Sequence, residues 1–166
     1  MAVQEATYLI ALGSNRWSRH GGPRATLAAA VAALPGVIAA APIVETAPIG
    51  PSRRRFANGA VLLRSDLPPP AMLAALKAIE AGFGRRPGQR WGARVLDLDI
   101  ILWSGGIFTA RSLAIPHVAF RSRSFALAPA AAIAPRWRDP VTGLSLAQLA
   151  ARLARLRPVD RKRARP

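Results

Sequence analysis

Val95-Leu-Asp-Leu-Asp-Ile-Ile-Leu-Trp103 is an apolar run broken only by two aspartates at positions i and i+2. Side chains alternate along a strand, so this spacing predicts Asp97 and Asp99 on one face, with Leu98 and Ile100 on the other. Read as a strand, the segment is the fourth of a series. Tyr8 to Leu12 is a short buried strand that runs into Gly13-Ser-Asn15, a turn. Ala25 to Leu34 places Leu27, Val31 and Leu34 on one helical face and is stopped by Pro35-Gly36. Val37 to Thr46, rich in Val, Ile and Ala, reads as the second strand, and Phe56 to Leu63 as the third. Ala71 to Phe83 is a second amphipathic helix, with Met72, Leu73, Leu76 and Ile79 three to four apart and proline just ahead of it. Adding Val95 to Trp103 gives strand, helix, strand, strand, helix, strand. That order predicts an α+β fold, a ferredoxin-like split βαβ sandwich with a mainly antiparallel sheet and helices on its faces. The remainder, Gly105 to Leu156, is expected to supply short strands and at least one helix, Ser145 to Leu156.

The aspartate strand is also where the chemistry is read. Two carboxylates about 7 Å apart on one strand face repel each other and are costly to bury. A divalent cation removes the conflict, and Mg²⁺ takes one or two carboxylates together with phosphate oxygens. Just upstream, Gly84 to Arg94 holds three glycines, a proline and four arginines, and so predicts a long polar loop. Its Arg85, Arg86, Arg90 and Arg94 carry forked donors suited to phosphate oxygens. Trp91 lies among them, either to stack on a flat ligand or to cap the core. His117 is placed to donate to a phosphate or to serve the core. No G-x-x-x-x-G-K-[ST] stretch is present, which excludes a P-loop protein.

Composition narrows the choices further. The 166 residues suit one domain with a real core, expected over residues 1–156, with a basic tail at 157–166. Apolar runs fall short of the roughly 20 residues that cross a bilayer, and no secretory signal is readable, so a cytoplasmic protein is expected. The absence of cysteine excludes disulfides and thiol chemistry, and two histidines argue against a histidine-rich zinc site. The formal charge of +16 attracts polyanions. All the basic residues except Lys77 and Lys162 are arginine, in an alanine-rich chain. That pattern is equally well explained by nucleotide bias in a genome.

Five stretches, taken in order, resemble the 6-hydroxymethyl-7,8-dihydropterin pyrophosphokinases of folate biosynthesis. They are Ala11-Leu-Gly-Ser-Asn15, Glu45-Thr-Ala-Pro-Ile-Gly-Pro51, Phe56-Ala-Asn58, Arg90-Trp-Gly-Ala-Arg-Val-Leu-Asp-Leu-Asp-Ile100 and Ile115-Pro-His117. The resemblance implies transfer of pyrophosphate from ATP to the pterin hydroxymethyl oxygen, giving AMP. It implies two Mg²⁺ on Asp97 and Asp99, and Arg85 and Arg94 as catalytic neutralisers of phosphate charge. Nucleotide contacts would come from Trp91, Ile100, Arg111, His117 and Arg123. The pterin would sit between Phe56 and Phe125, with Thr46, Ala47, Ile49 and Asn58 at its edge and Glu80 behind. Such a chain is expected to be a monomer that takes small molecules, without membrane or specific nucleic acid as partners. The loops Gly50 to Arg55 and Gly84 to Arg94 would be the parts that close over ATP.

The chain also departs from the family pattern. Val118 stands where an aromatic residue is expected, Ala47 replaces a proline and Phe56 a common tyrosine, and the arginine loop looks shortened. Two other readings keep part of this pattern: a nucleotidyl transferase of polymerase-palm type using the same aspartates, and a basic nucleic-acid binder without catalysis.

Overall fold

The computed structural model describes residues 5–46, 55–84 and 94–156. Strand β1 spans Ala6–Ser14, helix α1 Pro23–Ala33, β2 Val37–Ala40, β3 Val44–Thr46 and β4 Phe56–Ser65. Helix α2 spans Pro69–Gly82, β5 Asp97–Trp103, β6 Phe108–Ala110 and β7 Leu113–Ile115. A 3-10 turn at Phe120–Ser122 leads into α3, Ser124–Ile133, and α4 is Leu146–Leu156.

The main sheet runs β2-β4-β1-β5, with β3 also on β4, and every pairing is antiparallel. Strand β4 separates β1 from β2, and β1 separates β4 from β5, so both crossovers are split as the element order predicts. The expected single strand over 37–46 is two strands. Pro42 in Ala41-Pro42-Ile43 has no N–H to give to the ladder. Across it, four positions from Ala40 to Val44 answer only three on β4, Val61 to Asn58. Beyond the sheet, β6 and β7 form a hairpin.

Each face of the sheet has its own core. On one face Ile10, Leu12, Leu98 and Ile100 pack with Leu27 of α1 and Met72 and Leu76 of α2. On the other, Leu9, Ala60, Ile101 and Leu102 pack with Leu127 and Ala130 of α3 and Leu146 and Leu149 of α4. Burial of such side chains contributes about 1.5–3 kcal/mol each. Helix α1 ends at a turn whose Gly36 has φ +73°, and a Cβ there would lie 2.3 Å from the Arg64 carbonyl oxygen. The close approach leaves room for the Arg64 N–H to donate to the Gly36 carbonyl at 2.9 Å.

Strand β5 changes phase partway. Leu9 pairs with Leu102 and Ile10 with Ile100, so Ile101 is an extra residue, a β-bulge. As a result Ile101 and Leu102 both face α3. Behind the 3-10 turn, Asp139 is fully buried. Arg121 donates to it from Nε and Nη2, both at 2.7 Å, joined by the Thr142 hydroxyl at 2.7 Å and the Val141 N–H at 3.1 Å. Burial alone would raise this carboxyl, but the donors hold it down to about 2. Among the described residues, no helix is long and apolar enough to cross a membrane.

Candidate active site

The central strand creates the cleft by what it lacks. On the face toward α3, Gly13 lies between Asn58 of β4 and Asp97 of β5, and Ala11 between Ala60 and Asp99. With Ala60 also small, these residues leave a hollow at this end of the sheet, rimmed by Asn58, Asp97 and Asp99. It is a cavity of about 510 Å³, lined by β1, β4, β5 and the segment from His117 to Ala126. That size suits a small molecule.

Asp97 and Asp99 both line the cavity, on one face of β5 as their spacing predicts. Arg94 donates from Nη1 to Asp97 Oδ2 at 2.7 Å. Burial, then repulsion from Asp97, raises the Asp99 pKa, while His117, Lys77 and Arg123 oppose the rise. The strand therefore holds a carboxylate whose charge is only partly offset by protein groups. His117 is fixed from two sides. Its N–H donates to the Ile101 carbonyl at 3.1 Å, and its Nδ1 accepts the Ala119 N–H at 3.2 Å. In the neutral ring the proton then sits on Nε2, which stands 3.9 Å from Asp99 Oδ2.

Arg123, Phe125, Phe56, Asn58 and Thr46 line the same cavity. Phe125 is 48% exposed, and the Arg123 guanidinium lies 5.9 Å from its ring centre. Asn58 is buried at 8% exposure, with its amide oxygen beside Gly13. Aromatic faces and an amide thus share one hollow with two carboxylates and two arginines.

Other residues singled out from sequence lie elsewhere. Ile100 is in the core on the opposite face, and its neighbour Ile101 is the one on the cavity wall. Arg111 is exposed at the turn between β6 and β7 and is not among the lining residues. Glu80 is fully buried behind β5, where it accepts the Leu98 N–H at 2.7 Å and pairs with Lys77 at 3.0 Å. Leu98 is the residue between the two aspartates, so Glu80 braces their strand from the far side. Arg85, Trp91, Ala47 and Ile49, with Arg86 and Arg90, lie outside the described residues.

Ser14, Asn15, Phe120 and Ile101 also line the cavity and were not singled out. Gly13 and Ser14, expected in a turn, extend β1, and Asn15 directly follows the strand. Its place there is a weak signal, since side-chain amides at strand ends bond backbone, but it does not name the partner. Phe120 gives no such signal, since a phenylalanine following Val118-Ala119 reads as core.

Comparison with known proteins identifies the family. The family model for 7,8-dihydro-6-hydroxymethylpterin-pyrophosphokinase (HPPK) matches residues 9–135. The 2-amino-4-hydroxy-6-hydroxymethyldihydropteridine pyrophosphokinase of Pseudomonas aeruginosa is 39% identical over 137 residues, covering 79% of this chain and 82% of the relative. The Synechocystis protein of the same name is 44% identical over 100 residues. That match covers 60% of this chain and about half, 51%, of the relative. Among solved structures, wild-type Plasmodium falciparum HPPK-DHPS with pteroate superposes with a TM-score of 0.66 at 14% identity. It covers 90% of this chain and 42% of the other, a likeness of fold. With the family model spanning most of its length, the chain belongs to the HPPK family, ATP-dependent pyrophosphoryl transferases of folate synthesis.

Proposed function

We propose that the cleft transfers the pyrophosphoryl group of ATP to the hydroxymethyl oxygen of 6-hydroxymethyl-7,8-dihydropterin, releasing AMP and the pterin diphosphate. The observation that carries this reading is the shared cavity, with Asp97 and Asp99 on one strand face and Arg94, Arg123 and His117 beside them. In this reading Phe56 and Phe125 offer ring faces to the flat pterin, and Asn58 and Thr46 bond its edge. Arg94 and Arg123 neutralise charge on the phosphates, with the His117 Nε2–H as a further donor. Arg85, Trp91, Ala47 and Ile49 keep the roles that the family resemblance implies for them, while Ile101 takes the place on the cavity wall expected of Ile100, and Arg111 would have to reach the nucleotide from outside the cavity.

The donor set fits a hard cation. Among the described residues no group of three or more His, Cys, Asp or Glu side chains gathers. Two strand carboxylates then leave most coordination positions to water and phosphate oxygens, the preference of Mg²⁺. Two Mg²⁺ held by Asp97 and Asp99 would fix the triphosphate and offset its charge. Beyond that, positioning and charge neutralisation suffice for transfer of this kind. The reading also takes the enzyme as a cytoplasmic monomer working through residues 1–156.

The test is incubation with ATP, Mg²⁺ and hydroxymethyl-dihydropterin, followed by separation of the nucleotides. Formation of AMP with the pterin diphosphate supports the proposal. Release of inorganic pyrophosphate instead would indicate a nucleotidyl transferase.

A further inference from the structure

Asn15 engages both backbone groups of Arg94. Its Oδ1 accepts the Arg94 N–H at 2.6 Å, and its own N–H donates to the Arg94 carbonyl at 3.1 Å. The regular register between β1 and β5 stops at Gly13 and Asp97. These two bonds carry the contact beyond it, joining residues 79 positions apart in sequence. A side-chain amide suits the place, because its carbonyl oxygen supplies the acceptor that a further strand residue would have offered.

The residue held in this way is the one whose guanidinium meets Asp97 at 2.7 Å on the cavity wall. An arginine side chain is long and loses much rotamer freedom when it is placed. Fixing its backbone removes one source of error in where the charge stands, and errors of about 1 Å in such placement can cost about 100-fold in rate.

We infer that Asn15 is a positioning residue for Arg94: it clamps the Arg94 backbone and so sets the guanidinium against the phosphate charge. The inference rests on the pyrophosphokinase reading. Because Asn15 itself lines the cavity, direct contact with a substrate is the competing role. A double-mutant cycle separates the two, since a residue acting through Arg94 has little left to do once Arg94 is truncated.

The experiment compares wild type, Asn15→Ala, Arg94→Ala and the double variant with ATP, Mg²⁺ and hydroxymethyl-dihydropterin. Asn15→Ala is expected to lower kcat about 10- to 100-fold with the pterin KM little changed. Asn15→Asp keeps the acceptor and recovers most of that loss. In the Arg94→Ala background the Asn15 change costs less than about twofold. The inference is overturned if the full factor persists there, or if Asn15→Ala raises the pterin KM and leaves kcat alone. Should Asn15→Ala not fold, Asn15→Ser is read in the same way.

Calorimetric binding of a non-hydrolysable ATP analogue with Mg²⁺ to the same proteins is the second readout. Asn15→Ala should weaken binding only where Arg94 is present; equal weakening in both backgrounds overturns the inference. A wild type that binds the analogue but forms no AMP sinks the pyrophosphokinase reading, and the cycle on analogue binding still decides the role of Asn15.

Discussion

The Arg94 guanidinium reaches Asp97 Oδ2 at 2.7 Å, so one of the two cleft carboxylates is already matched by a cation from the protein. Any metal ion taken up by Asp97 competes with that arginine, and an arginine displaced from the carboxylate is free to turn to phosphate. Arg94→Ala should therefore lower kcat by about 10²–10³-fold, the usual cost of losing one stabilising donor. Pterin affinity should hold. Steady-state kinetics with each substrate varied in turn gives the answer; a change confined to the pterin KM would remove Arg94 from charge stabilisation.

Asp99 carries a different balance. Burial first, and then Asp97, raises its pKa. A carboxyl that protonates more readily folded than unfolded loses stability for the fold as pH rises above its unfolded value toward its folded one. Asp99→Asn removes that charge. The variant should melt above wild type in the presence of EDTA, while its turnover falls by about 10²-fold or more. Added Mg²⁺ with ATP should stabilise wild type and leave the variant unmoved. Thermal scans with and without the metal–nucleotide pair decide it, and a variant that melts lower in EDTA would contradict the argument.

Asp139 gives the opposite sign. Its carboxyl is held at about 2 against an ordinary value of 3.8, chiefly by Arg121 and then by Thr142 and Val141. A depressed pKa contributes stability above pH 3.8 that is lost as pH falls toward 2. The shift corresponds to about 2 kcal/mol, and truncation to Ala, which strands Arg121, should cost about 3–5 kcal/mol. Urea unfolding of Asp139→Asn between pH 5 and pH 2 should show a shallower acid dependence than wild type. Parallel curves would mean that the pair contributes nothing in this window.

The floor of the cleft depends on Ala11 remaining small. Ala11→Leu adds three carbons at the place where Ala11 lies beside Asp99. Ligand binding should weaken by about tenfold or more, as overfilling a packed site does. The melting temperature should stay close to that of wild type, because Ala11 is only partly buried and the cavity beside it can take the larger side chain. Calorimetry with the pterin and with the ATP analogue shows which ligand occupies that floor; unchanged binding of both would place it outside the site.

Residues 157–166 are assigned no part in the chemistry. A chain ending at residue 156 should turn over ATP at the wild-type rate, within about twofold, since the family match ends at residue 135, ahead of the segment removed. An assay of the shortened chain over a range of salt concentrations checks this. A fall in rate restricted to low salt would show that the basic end draws the nucleotide in.

Much of the fold and part of the site were legible in the sequence because periodicity reports on environment directly. Leu98 and Ile100 alternate with Asp97 and Asp99, and the structure separates them to the two faces of β5 in that way. The two helices before β5 were legible for the same reason, since their apolar residues recur three to four apart. What escaped detection depends on contacts between distant positions. The break at Pro42 hinges on which partner its strand must follow, and the extra residue at Ile101 shows only when β5 is laid against β1. Nothing local marks Asp139 as buried, because its partner Arg121 lies 18 positions away. Asn15 serves Arg94 from 79 positions away, and no local pattern encodes such a bond. The hollow itself comes from Ala11, Gly13 and Ala60 falling side by side, a property of strand register and not of any one residue.

The bulge in β5 makes that strand a hinge between two duties. Ahead of Ile101 its outward side is charged and open; after it, the same side is greasy and sealed under α3. A single inserted or deleted residue here would do what few substitutions can, rotating everything beyond it by half a turn. Either the carboxylates would be driven into oil, or the seal would be turned toward water. The length of this strand is therefore constrained far more tightly than its spelling.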